Sequence, residues 1–337
     1  MSVSSMPSPS APPAEESREH LPENSLKVYR PGRRTARRER IVALGAVLVP
    51  AFGTLAAVIF STIYGISTVD LALFFSFYIL TALGIVIGYH RLASHRSFSA
   101  ARPVAAFFYV LGSMAAQGPV LWWAAIHRRH HKTADGPGDP HSPYIRDEKP
   151  LGPWRGFWNA HLGWLFVHEA TTWQYYIPDL LKERTIFDIN RHYFFWVGLG
   201  LALPALIGWY ASGGAWQGAV GGLLWGGLVR IFAFQHATWC INSVCHIFGT
   251  RPYHARDMAR NNFFLIILTL GDGWHNHHHA FPGTASNQFA WWQIDASGLL
   301  IQALGLVGLT WNIQTPSPRM LENSRRKMRE SLAGSHG

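Results

Sequence analysis

Leu71-Ala-Leu-Phe-Phe-Ser-Phe-Tyr-Ile-Leu-Thr-Ala-Leu-Gly-Ile-Val-Ile-Gly-Tyr89 contains no charged residue and ends directly on His90-Arg-Leu-Ala-Ser-His95. An apolar helix of about 20 residues crosses a hydrocarbon core, so this run reads as a membrane span that delivers two histidines at its end. Upstream, Ile41 to Val69 is also uncharged, and only Asp70 separates the two runs. Their short connection lacks Lys and Arg. Before the first run stand Lys27, Arg30, Arg33, Arg34, Arg37, Arg38 and Arg40 against a single Glu39. That block marks the cytoplasmic side. The two runs form a hairpin that returns the chain to the basic side, where Arg91, Arg96 and Arg102 follow.

Tyr193 to Val229 is a further uncharged run, split by Ser212-Gly213-Gly214. It predicts two spans with a tight extracytoplasmic turn and Arg230 at the returning end. Residues 103–126 are apolar but contain Gln117, Gly118 and Pro119, which suits a re-entrant or interfacial segment. Residues 154–167 are aromatic and expected at the interface, and the short apolar stretches 263–270 and 296–312 are expected as surface-lying helices. The fold class is therefore all-α integral membrane: four transmembrane helices, both termini and the histidines cytoplasmic, and a cytosolic helical cap. The expected division is a disordered, basic N-terminal tail over 1–40, a membrane domain over 41–315, and a basic C-terminal tail over 316–337, helical at best. Residues 1–26, rich in Ser, Pro and Glu, lack periodicity, and no signal peptide is visible.

Composition agrees. The chain is 48% hydrophobic and 14% charged, and 15 tryptophans supply interfacial belts. The net charge of +10 could suggest nucleic acid, but the basic residues sit beside apolar runs and fit an anionic membrane surface. No nucleic-acid partner is expected. Two cysteines, Cys240 and Cys245, and no CxxC leave no disulfide framework, zinc knuckle or fused iron–sulfur module.

Histidines carry the chemistry. His127-Arg-Arg-His130-His131 and His275-Asn-His-His278-His279 each place imidazoles at i, i+3 and i+4, on one helix face. His90 and His95, five apart, would point about 140° apart on an α-helix and could serve different ions. Imidazole suits iron, copper, zinc and nickel, and missing Cys ligands disfavour structural zinc. Eight ligands are too many for one ion and suit two. Two redox-active metals at a membrane surface, with lipid chains nearby, suggest oxygen chemistry on an unactivated C–H bond, which side chains alone cannot break.

The three boxes resemble those of the membrane-bound fatty acid desaturases, specifically the Δ9 type that includes the stearoyl-CoA desaturases. The resemblance runs from about Tyr78 to Trp311. It covers His90-Arg-Leu-Ala-Ser-His-Arg-Ser-Phe98, His127 to His131 followed by Asp139-Pro-His141, Thr238-Trp-Cys-Ile-Asn242-Ser-Val-Cys-His246-Ile-Phe-Gly249, and Gly271-Asp-Gly-Trp-His-Asn276. It implies two iron ions on nine histidines: His90, His95, His127, His130, His131, His246, His275, His278 and His279. Asn242 reaches metal through water, and His277 is not a ligand. The implied reaction is O2-dependent Δ9 desaturation of a saturated C16–C18 acyl chain. Gln117, Trp123 and Thr238, with Trp239 adjacent, match residues that bend the acyl tunnel in relatives. Tyr78, twelve residues before His90 and about 18 Å along the helix, matches a residue that closes its far end.

A separate electron donor is implied: a ferredoxin, a rubredoxin, or a cytochrome with its reductase. The substrate headgroup stays open between CoA, lipid and carrier protein. Where acyl-CoA desaturases carry basic residues after Gly-Trp-Leu, this chain has His168 and Glu169, and before the second box it has Ala125 and Ile126. The competing readings are a related di-iron hydroxylase acting on an alkane, sterol or carotenoid, and a metal-binding membrane transporter. Transporters place polar groups at mid-membrane, whereas here the spans are clean.

Overall fold

The structure is a computed structural model that describes residues 27–167 and 169–334; the segment 1–26, expected to be disordered, lies outside them. The principal helices are α1 (Arg33–Tyr64), α2 (Thr68–Ser94), α3 (Arg102–Met114), α4 (Val120–Thr133), α5 (Pro153–His161), α6 (Arg184–Arg191), α7 (Tyr193–Ala211), α8 (Trp216–Ile247), α9 (Phe263–Leu268), α10 (His275–Ala280), α11 (Ala296–Leu306) and α12 (Pro318–Gly334). Three two-residue antiparallel ribbons pair β1 (Val28–Tyr29) with β5 (Ala170–Thr171), β2 (Ser99–Ala100) with β6 (Thr310–Trp311), and β3 (Ile145–Arg146) with β4 (Lys149–Pro150).

Four helices, α1, α2, α7 and α8, are long and apolar enough to cross a membrane. Their outward faces carry exposed Leu48, Phe52, Leu55, Phe75, Phe194 and Leu206, as lipid contact requires. The buried stripe of α1 is Pro50, Gly53 and Ala57, small residues that let α8 approach until Leu228 fills the space over Gly53. Asp70 does not break the apolar pattern; it caps α2. Its backbone N–H donates to Ser67 Oγ at 3.1 Å and its carboxylate accepts from the Ser67 N–H at 2.9 Å. Gly84 and Gly88 seat α2 against α3, where a Cβ at Gly84 would collide with the backbone of Gly112.

Two expectations need correction. The basic block assigned to the tail is ordered: Val28–Tyr29 is a strand, and α1 starts at Arg33, eight residues before the apolar run. Arginine has good helix propensity and continues the helix outward. Arg230 does not end the last span. It is 0% exposed inside a continuous α8, donating to Gly226 O at 3.0 Å, Met114 O at 2.7 Å and Gly200 O at 2.8 Å. Its charge is held by backbone dipoles, including the C-terminal end of α3. The helix therefore runs on to Ile247 and carries His246 out of the bundle. Helices α3 and α4, of 13 and 14 residues, are too short to span and are joined through Ala115–Pro119, which holds the Gln-Gly-Pro segment.

Candidate metal centre

Helices α2, α4, α8 and α10 bring nine histidines together in two groups. The first holds His90, His95, His127, His131 and His278; the second holds His130, His246, His275 and His279. Within each group one ring nitrogen per residue lies within 4.8 Å of all the others. The adjacent pair His130 and His131 divides between the groups because successive helical residues point about 100° apart.

His90 and His95 fall in the same group, contrary to the α-helical expectation that they would diverge. The cause is local winding. From Gly84 to Ser94 the helix is π-type, and the His95 N–H donates to His90 O at 3.1 Å, an i+5 bond. A turn of more than four residues puts positions five apart nearly in register.

Second contacts fix the rings. Nδ1–H of His90 donates to Asp272 at 2.8 Å, His130 to Asp139 at 2.9 Å, His246 to Asp135 at 2.9 Å and His279 to Asp257 at 2.8 Å. A proton held at Nδ1 leaves the Nε2 lone pair facing inward. Nε2 of His90 meets that of His278 at 2.9 Å and Nε2 of His246 meets that of His275 at 3.0 Å, while His278 also meets His131 at 2.8 Å. Nε2 of His130 and of His279 are buried with no hydrogen-bond partner. A ring nitrogen that is buried without a donor suits a cation instead. The residues fit two metal ions bound by imidazole alone.

The electrostatics agree. Burial pushes the imidazoles of His95, His127, His131, His275 and His278 well below their ordinary range, so they stay neutral, as metal ligation would require. Burial alone would raise the carboxyls of Asp139 and Asp257, but their histidine partners outweigh it and hold them low. Arg91 donates to Asp272 at 3.0 Å and to Asp295 at 2.8 Å, so the carboxylate behind His90 is itself anchored.

His277 stands outside both groups. Its ring stacks between Trp274, centroids 5.1 Å apart, and Phe289 at 4.7 Å, and its Nδ1–H donates to Asn287 O at 2.8 Å.

Beside the groups opens a cavity of about 870 Å³, lined by Gln117, Trp123, Thr238, Trp239 and Asn242 among others. A second space of about 40 Å³, against the histidines, shares Trp123, Thr238 and Asn242. Gln117 Nε2 donates to Thr238 Oγ1 at 2.9 Å, and Trp123 stacks on His127 at 4.8 Å. Of the residues matched to the tunnel, Trp123 and Thr238 thus line both spaces, and Gln117 and Trp239 line the larger one. Tyr78 lines neither space: its hydroxyl donates to Leu268 O at 2.9 Å and its ring packs on Phe234, which does line the inner one. Glu169 at the outer cavity is paired with Arg129 at 2.9 Å.

Residues 68–296 match the family model described as fatty acid desaturase. The chain is 42% identical over 277 residues, 82% of its length and 86% of the relative's, to the hex-5-enoyl-[acyl-carrier protein] acetylenase of Moorena producens (strain JHB). It is 36% identical over 249 residues, 73% and 72% of the two lengths, to the acyl-CoA C20 Delta5-desaturase of Anemone leveillei. It is 34% identical over 243 residues, 71% and 81%, to the sn-1 stearoyl-lipid 9-desaturase of Anabaena variabilis.

Proposed function

The chain belongs to the fatty acid desaturase family and is an oxidoreductase of fatty acyl chains, and we propose that it uses O2 to place a cis double bond at carbon 9 of a saturated C16–C18 chain. The observation that carries this reading is the convergence of nine imidazoles in groups of five and four beside a cavity of about 870 Å³. In this proposal each group holds one iron ion, and Asn242 contributes through water. When bound, the iron pair supplies the oxidising power that removes two hydrogens from adjacent methylenes as O2 is reduced to water.

The chain's own residues do the rest. Gln117 and Thr238, joined across the cavity, and Trp123 beside His127 bend the acyl chain so that its middle faces the histidines. Trp239 and Asn242 continue that wall, and Tyr78 backs the far end through Phe234. The buried walls exclude water from the reacting methylenes. Two electrons come from a separate ferredoxin, rubredoxin or cytochrome. The metal groups and both termini face the cytoplasm, a side supported by the arginines at the start of α1. The substrate is an acyl thioester carried on a protein, a reading supported by the carrier-linked substrate in the Moorena relative's name. That name also favours a second reading, oxidation of an existing double bond to a triple bond.

The test is product analysis with iron-loaded protein, a reduced donor, O2 and stearoyl or alkenoyl thioesters. A cis alkene supports desaturation and an alkyne supports the second reading. An alcohol would identify a hydroxylase, and iron bound without O2-dependent turnover would favour a transporter.

A further inference from the structure

The first two turns of α1 carry Arg33, Arg34, Arg37, Arg38 and Arg40, all exposed. At about 100° per residue they occupy an arc of about 160°, with Glu39 on the opposite side. None of the five has an ion pair among the described residues. The other basic helix, α12, differs: Arg326 pairs with Glu330 at 3.1 Å, Arg329 pairs with Glu322 at 2.8 Å, and Arg325 donates to the Tyr253 hydroxyl at 2.7 Å. Helix α12 sets two acids against five bases, whereas α1 sets Glu39 alone against its collar of five arginines, which pair with no acid among the described residues.

The collar stands at the cavity mouth, where Arg38 and Arg40 are lining residues together with Arg30. The mouth itself mixes signs. Arg30, Arg38, Arg40 and Arg146 line it together with Glu39, Asp147 and Glu148, and Arg146 lies 3.7 Å from Asp147. So many charges suit an opening to water rather than to lipid. The three carboxylates among those arginines leave little net positive charge there, which suits a thin, singly charged arm better than a compact nucleotide with several phosphates. Arg33, Arg34 and Arg37 carry the positive charge beyond the cavity lining, along the same arc of α1.

We infer that the arginine collar of α1 is the docking surface for an acidic acyl carrier protein, whose phosphopantetheine arm passes through the mouth with the acyl chain. The inference rests on the carrier-linked thioester proposed above. Recognition spread over exposed charges steers encounter and weakens with salt, because such charges are screened over about 10 Å at 0.1 M.

The experiment uses the full chain, iron-loaded and with a reduced donor, in nanodiscs of zwitterionic phosphatidylcholine. Stearoyl-carrier protein and stearoyl-CoA are compared for wild type and for Arg33→Glu, Arg34→Glu and Arg37→Glu combined, positions that do not line the cavity. The expected result is a loss of about tenfold or more in kcat/KM for the carrier substrate only, with its salt dependence flattened. Equal kcat/KM for the carrier substrate in variant and wild type overturns the docking surface but keeps the carrier reading. Wild type that turns over the CoA ester and not the carrier substrate overturns both. Equal loss for both substrates, restored by wild-type arginines only in discs with anionic lipid, assigns the collar to the membrane and overturns the inference.

Discussion

Nδ1 of His90 donates to one oxygen of Asp272 at 2.8 Å, while the other oxygen accepts from Arg91 at 3.0 Å. The carboxylate therefore orients the imidazole and is held in place from behind. Asp272→Asn keeps the shape and an acceptor but removes the charge that fixes the ring's tautomer. Iron affinity, measured by chelator competition, should fall by roughly 10- to 100-fold, the usual cost of losing such a partner. Unchanged affinity would show that packing alone orients His90.

His277 and His278 are neighbours with different surroundings. His278 meets His90 and His131, whereas His277 is stacked between Trp274 and Phe289. His278→Ala should lose iron. His277→Ala should keep it and lose stability, about 2 kcal/mol for the cavity and stacking left behind. Iron content and unfolding temperature on the same preparations separate the two. Equal iron loss in both would contradict the grouping.

Spacing made this site readable because helical periodicity is nearly rigid. Three imidazoles at i, i+3 and i+4 must share a face, and long uncharged runs must leave the water. What spacing misses is a departure from that periodicity: the π winding that unites His90 and His95 depends on Gly84 and Gly88 packing against α3. Two of the carboxylates were equally hidden. Asp135 and Asp257 sit in loops, where no repeat relates sequence distance to spatial distance. Arg230 misled because a charge ordinarily ends a span; its partners are carbonyls from α3 and α7, invisible in a linear reading.

Acid should weaken the metal-free fold in two stages. The buried histidines His95, His127, His131, His275 and His278 titrate below their unfolded value of about 6.5. Below that pH the unfolded chain binds protons that the fold refuses, so stability falls as pH falls. Asp139, Asp257 and Asp272, also held low, add a second loss below about pH 4. His130 acts oppositely: burial lowers it but Asp139 raises it more, so its contribution is present below about 6.5 and lost as pH rises. Burial holds His141, His161, His277 and His279 low as well, so the lowered imidazoles outnumber it and decide the sign. Thermal unfolding of apoprotein between pH 7.5 and 5.5 should show a falling midpoint; a flat or rising one would mean that these imidazoles are not buried neutral.

Phe234 stands between Tyr78 and the inner space. The Tyr78 ring packs on it at 5.3 Å, and the hydroxyl is tied to Leu268 O. If chain length is limited at this end, Phe234 is the wall that the methyl terminus meets and Tyr78 is the support behind it. Phe234→Ala removes the wall directly and should extend the accepted chain by several carbons. Tyr78→Ala leaves the wall in place but frees it to tilt, so a smaller extension is expected. Tyr78→Phe, which loses only the bond to Leu268, should change length preference least. Competition among saturated thioesters of graded length, read as product ratios by mass spectrometry, ranks the three. A larger shift in Tyr78→Ala than in Phe234→Ala would place the tyrosine itself against the chain.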